Sequence, residues 1–157
     1  MTDLRKILVT VDGSETSVKA AAAAVSIAKQ HGSKLTFLTV VNVDMYLGEY
    51  GVFAVRNMPV ERGEIIDAKH KNDQEMLNGI VEKLETKGLE FEKKVISGIP
   101  YEVIVNEAKN EDYDLIVMGR RGLTKLERVF LGSVTQKVLA EAPCSVLCIP
   151  RRCRPRR

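Results

Sequence analysis

The sequence predicts an α/β fold, a three-layer α/β/α open sandwich of four helices around a five-stranded parallel sheet, and three observations predict it. Strand-like and helix-like patterns alternate along all 157 residues. The strand-like runs are apolar at consecutive positions, as strands covered by helices on both faces are. The helix-like patterns between them are long enough for the right-handed crossovers that parallel strands require.

Taken in order, the first strand is Lys6–Val11, and Asp12-Gly13-Ser14 turns the chain after it. Ser14 offers an N-cap oxygen to a helix running to about His31, where Gly32 stops it, and Ala20–Ala24 keep this helix slim enough to lie close to a sheet. The second strand is Leu35–Val41. Leu77, Ile80, Val81 and Leu84 share one face of a second helix, closed by Gly88, and Leu89–Ile96 is the third strand. Pro100 opens a third helix, with Tyr101, Ile104, Val105 and Ala108 at i, i+3, i+4 and i+7. Asp114–Met118 is the fourth strand, and a fourth helix spans about 133–141. Pro143 precedes the last strand, Cys144–Ile149, and Pro150 ends it.

Composition narrows the function. With 45% hydrophobic and 29% charged residues, the chain fits a single domain over 1–150 followed by a basic tail, 151–157. The net charge of +3 includes five tail arginines, Arg151, Arg152, Arg154, Arg156 and Arg157, so residues 1–150 sum to 3 − 5 = −2. A nucleic-acid binder carries its basic face on the fold, so no specific nucleic-acid partner is expected. The tail reads either as a solvated end or as an electrostatic contact with an acidic partner or membrane surface. No stretch approaches the ~20 apolar residues of a membrane span, and the run Ile7–Val11 is too short for a signal peptide, so the chain reads as cytoplasmic. Cys144, Cys148 and Cys153 lack CxxC spacing and only His31 and His70 accompany them, which argues against a metal site. Cys144 and Cys148 share a strand face, where packing is their expected role.

In an open parallel sheet, ligands bind beyond the carboxyl ends of the strands, where the strand order reverses. Here those ends are Thr10-Val11-Asp12-Gly13, Val40-Val41 and Met118-Gly119. Asp12 is either a turn residue before a capped helix or a carboxylate accepting hydrogen bonds from ribose hydroxyls, while the second strand's end offers polar backbone to a base edge. After the fourth strand come Gly119, Gly122, Gly132 and Ser133, whose glycines allow positive φ and close backbone approach before a helix N-terminus. Arg120, Arg121, Lys125 and Arg128 against Glu127 give this loop a net +3, suited to a polyphosphate. Ser133 can donate its hydroxyl to a phosphate beside the N–H groups of Val134 and Thr135, or simply cap the helix.

The spacing Gly119-x2-Gly122-x9-Gly132-Ser133 resembles the signature of nucleotide-binding members of the universal stress protein family, and the resemblance covers nearly the whole chain. Ile7–Ser14 resembles that family's first strand and turn, and Pro143–Leu147 its last strand. The resemblance implies strand order 3-2-1-4-5, ATP (or AMP or ADP) in the crevice with Mg or Mn accompanying it, and a homodimer paired through the last strand. By position it assigns Asp12 to the ribose, Val40 to the adenine, and Gly119, Gly122, Gly132, Ser133 and Val134 to the phosphates. Thr10 stands where some members have proline. Met118, Arg121 and Thr135 complete the candidate set, at the strand end, in the basic loop and in the first helical turn.

The expected function is therefore ATP-binding regulation in a stress response, through loop order and partner contacts. With no GxxxxGK[ST] motif and no histidine at the presumed site, at most slow ATP hydrolysis is expected. A hydrolase using the same crevice and a nucleotide-independent dimeric scaffold are the competing readings. The long segment from Asn42 to about Arg62, with Tyr46, Tyr50 and Phe53, reads as a lid, a subunit contact or a loop packed on its own body.

Overall fold

Five parallel strands, β1 (Lys6–Thr10), β2 (Lys34–Val41), β3 (Phe91–Ser97), β4 (Leu115–Gly119) and β5 (Ser145–Ile149), pair in the order β3-β2-β1-β4-β5. The structure is a computed structural model that describes residues 3–42, 62–120 and 131–151. Among those residues four helices alternate with the strands: α1 (Glu15–His31), α2 (Arg62–Glu82), α3 (Pro100–Asn110) and α4 (Ser133–Glu141). This is the order the family resemblance implied. Successive strands add outward from β1 to β3, and the chain then crosses back to place β4 on the free side of β1. The reversal opens a crevice at the carboxyl ends of β1 and β4.

Alternation along each strand divides the core into two layers. On one face Ile7, Val9, Leu35, Phe37 and Val117 pack against Ala20, Ala21, Ala24 and Ala28 of α1 and Leu77 and Val81 of α2. On the other, Leu8, Leu38, Ile116 and Met118 meet Ile104 and Ala108 of α3 and Val138 of α4. The alanines let α1 lie close to the sheet. That closeness matters below, because the first turn of α1 borders the crevice.

Both ends of α1 follow the sequence. The Ser14 hydroxyl accepts from the Ser17 N–H at 3.2 Å, and Gly32, at φ 66°, ends the helix with its N–H on Ala28 O. The second helix differs from expectation: it begins at Arg62, well before Leu77, and ends at Glu82. Its first half carries Glu64, Asp67, Lys69, Lys71 and Asp73 and has little apolar periodicity to read, whereas Leu77 and Val81 are buried in the core. Leu84 lies past the helix end and still packs on that core, and Gly88 sits in the turn before β3 rather than at the helix C-cap.

Side chains close the amino end of the sheet. Asp114 Oδ2 accepts the backbone N–H groups of Arg5 and Lys6, both at 2.9 Å, joining the entries to β1 and β4. The Tyr113 hydroxyl donates to Thr36 Oγ1 at 2.7 Å, and Thr36 Oγ1 donates to Glu92 Oε1 at 3.1 Å. This chain of bonds satisfies two buried hydroxyls.

Candidate functional site

At the carboxyl end, backbone geometry dominates. The Val11 N–H donates to Leu38 O at 2.8 Å, and the buried Thr39 hydroxyl donates to Val11 O, also at 2.8 Å, fixing the backbone just before Asp12. The turn is then tied internally. Asp12 Oδ1 accepts the Ser14 N–H at 2.9 Å, while the Ser17 hydroxyl accepts the Asp12 N–H at 3.3 Å and donates to Ser14 O at 2.9 Å. Gly13 has φ 86°, a left-handed backbone that a side chain would strain, and Met76 of α2 lies against it. Asp12 itself is exposed. Its turn role therefore coexists with a position at the crevice mouth.

The end of β4 depends on the absence of a side chain. A Cβ on Gly119 would stand 2.7 Å from Thr16 Oγ1 and 3.1 Å from the Thr16 carbonyl carbon, so only glycine lets β4 rest on the first turn of α1. Gly119 is not in the left-handed region, and Gly132 has φ −58° and ψ 154°. Positive φ, which glycine allows at both, is used at neither: close approach is what needs glycine at 119, and Gly132 is an extended N-cap. Because Gly132 takes that position and no side chain caps the helix, Ser133 is the first helical residue rather than the cap, and it is exposed.

The two stems of the loop between β4 and α4 are locked together. The Arg120 N–H donates to Ile149 O at 2.8 Å, and the Gly132 N–H to Arg120 O at 3.0 Å. Thr135 is buried, its hydroxyl 3.2 Å from Gly119 O and 3.4 Å from Arg120 O. The Thr135 side chain therefore holds the stem. The first N–H groups of α4, on Ser133, Val134 and Thr135, have no acceptor within the helix and lie at its amino end. Arg121 and Gly122, with Lys125, Glu127 and Arg128, lie outside the described residues, as do Tyr46, Tyr50, Phe53 and the tail beyond Arg151.

Strand register brings the remaining candidates to one face. Thr10 pairs with Leu38 and Val9 with Val117, and Val40 and Met118 both pack with the α3 and α4 layer. Thr10, between Val9 and Val11 of the opposite layer, shares that face. Among the described residues no group of three His, Cys, Asp or Glu side chains stands together to hold a metal ion, and no helix is long and apolar enough to cross a membrane.

The Universal stress protein family model matches residues 3–150. The chain belongs to the universal stress protein family. A universal stress protein of Methanocaldococcus jannaschii is 34% identical over 149 residues, covering 94% of this chain and 82% of the relative. The structure of the universal stress protein UspA from Lactobacillus plantarum superposes with a TM-score of 0.78 at 30% identity, covering 95% of this chain and 99% of that one. Two more distant structures share the fold. A universal stress protein from Archaeoglobus fulgidus in complex with dAMP gives a TM-score of 0.60 at 22% identity, covering 94% of this chain and 99% of its own. A universal stress protein in complex with cAMP gives 0.60 at 21%, covering 96% and 100%.

In this family member, three residues that shape the crevice were missed from the sequence: Thr16, Thr39 and Met76. Thr39 had a signal, since a hydroxyl inside an apolar strand must find a partner when buried. Thr16 and Met76 had none. One reads as an ordinary first-turn residue and the other as helix packing, and their importance comes from the glycines they touch.

Proposed function

We propose that the chain binds an adenine nucleotide in the crevice between β1 and β4 and uses its occupancy to regulate contacts with partners. Asp12 would take the ribose hydroxyls, and Thr10, Val40 and Met118 would lie beside the base. Gly119, Arg121, Gly122, Gly132, Ser133, Val134 and Thr135 would surround the phosphates. The observation that carries this reading is the meeting of three features at one strand-order reversal: the Asp12 turn, the side-chain-free approach at Gly119, and the first-turn amides of α4, which have no acceptor within the helix and no side-chain cap among the described residues. The donor set fits an anionic nucleotide, since it joins backbone amides for phosphate to a carboxylate for hydroxyls.

The reading extends to metal and assembly. A divalent ion, Mg or Mn, would arrive on the nucleotide's phosphates, as Mg commonly does with substrate phosphates, rather than in a cage of protein carboxylates. The cAMP and dAMP of the two distant structures make adenine nucleotides the class to test first. Because the stems at Arg120 and Gly132 are locked, a ligand on the first-turn amides of α4 beside them would act on the loop between the stems and on the surface it presents. A homodimer through β5 belongs to the same proposal: β5 is an edge strand, uncharged from Ser145 to Ile149, with Leu147 36% exposed. Sedimentation of the full chain and of Leu147→Lys tests that part, with a dimer expected for the first and a monomer for the second.

The nucleotide is tested by thermal unfolding with Mg-ATP. Ligand at ~100 times its dissociation constant should add about 2.7 kcal/mol, and unchanged melting at millimolar ATP, ADP and AMP would remove the proposal.

A further inference from the structure

The turn that carries Asp12 is held at both ends. Before it, Val11 is bonded to Leu38 and Thr39 of β2; after it, Ser14 caps α1. Between them Gly13 stands at φ 86°, and glycine populates negative φ about as readily, so the residue itself does not select this backbone. The bond from the Ser14 N–H to Asp12 Oδ1, 2.9 Å long, spans this one free residue and fixes the Asp12 carboxylate only in the conformation that Gly13 adopts here.

The open side of Gly13 is covered from α2. Among the described residues, the three heavy atoms outside the turn nearest to the place a Cβ would take on Gly13 all belong to Met76: Cγ and Sδ at 3.6 Å and Cε at 4.0 Å. These are ordinary contact distances, so Met76 fills that side without straining it. Met76 is in turn held by a seated helix. Leu77 and Val81 place α2 in the core, the His70 Nε2–H donates to Val95 O of β3 at 3.0 Å, and the buried Asp73 pairs with Lys69.

We propose that Met76 is a positioning residue for the nucleotide: by packing on Gly13 it holds the left-handed turn in which Asp12 meets the ribose hydroxyls. The proposal rests on the nucleotide reading above and deepens it at the ribose. Met76 acts through Gly13 and Asp12, not as a ligand contact of its own. Without its side chain, Gly13 regains its range of φ, and binding itself must supply the ordering of the turn, which lowers affinity. The effect belongs to ligands that use Asp12, so a nucleotide without ribose hydroxyls does not feel it.

The test titrates ATP and 2′,3′-dideoxy-ATP into the wild type, Met76→Ala and Met76→Leu, and ATP into Asp12→Ala and into Asp12→Ala combined with Met76→Ala. Met76→Ala should weaken ATP about fivefold and dideoxy-ATP less than about twofold, and it should weaken ATP less than about twofold once Asp12 is gone. Met76→Leu, which keeps bulk over Gly13, should bind ATP within about twofold of the wild type. Thermal unfolding checks that each variant is folded, and Met76→Val takes the place of Met76→Ala if that variant is not. A general packing role would weaken both ligands alike and act equally with and without Asp12; that result, or unchanged ATP affinity in Met76→Ala, would overturn the assignment and leave the crevice standing. Absence of any nucleotide binding by the wild type would remove the nucleotide reading and this proposal together.

Discussion

At the amino end of the sheet, side chains close onto backbone and onto one another; at the carboxyl end, backbone comes close to backbone around glycines. Asp114 joins β1 to β4 with one carboxylate, and Tyr113 before β4, Thr36 of β2 and Glu92 of β3 form a bonded row. Opposite them, Gly119 rests on Thr16, Gly13 turns under Met76, and α4 starts after Gly132, an N-cap with no side chain to bond its first amides. The amino end is built for internal satisfaction of polar groups. The carboxyl end instead leaves the first-turn amides of α4 without an acceptor in their helix or a side-chain cap among the described residues.

Variants can break that contrast, and the largest effect is expected at Gly119. Gly119→Val forces a Cβ into the Thr16 backbone, with an expected loss on the order of 2–3 kcal/mol in denaturant unfolding together with loss of nucleotide binding. Tyr113→Phe removes a buried hydroxyl bond at the opposite end, and about 1–2 kcal/mol of stability should go while nucleotide affinity stays unchanged. Equal damage to affinity from Tyr113→Phe would abolish the division between the two ends. Thr135→Val should cost about 1 kcal/mol and, by loosening the loop stem, weaken nucleotide several-fold.

The smallest effect is electrostatic. The hydrogen bond to Glu107 raises the Lys94 pKa, so its contribution is fully present below the ordinary lysine value and is lost as pH rises through the raised one. Stability of the wild type should therefore decline in strongly alkaline solution more than that of Lys94→Met. Parallel declines would show that this partly buried pair contributes nothing measurable.

Much of this was legible in the sequence because it is local. Ser14 and Gly32 bracket α1, Pro100 opens α3, and the apolar run before Gly119 is β4, since caps and periodicity act within a few residues. The amino half of α2 was not legible, because its polar residues are helical without an apolar stripe to mark them. Nor was the reason for Gly119. The clash it avoids lies with Thr16, more than a hundred positions away in the chain, and only the β1–β4 pairing and the closeness of α1 bring the two together. Gly132 misled for the opposite reason: glycine permits positive φ, but the helix start here requires only an extended residue.

The most direct measurement is calorimetric titration of Mg-ATP into the full chain and into Asp12→Ala. Asp12 is exposed and its side chain bonds only the Ser14 N–H among the contacts described, so the variant should fold with nearly unchanged melting. The account predicts saturable binding by the wild type and at least about tenfold weaker binding by the variant, the loss of a charge-assisted pair of hydrogen bonds. Equal affinity in the two proteins would contradict the placement of the nucleotide at this crevice.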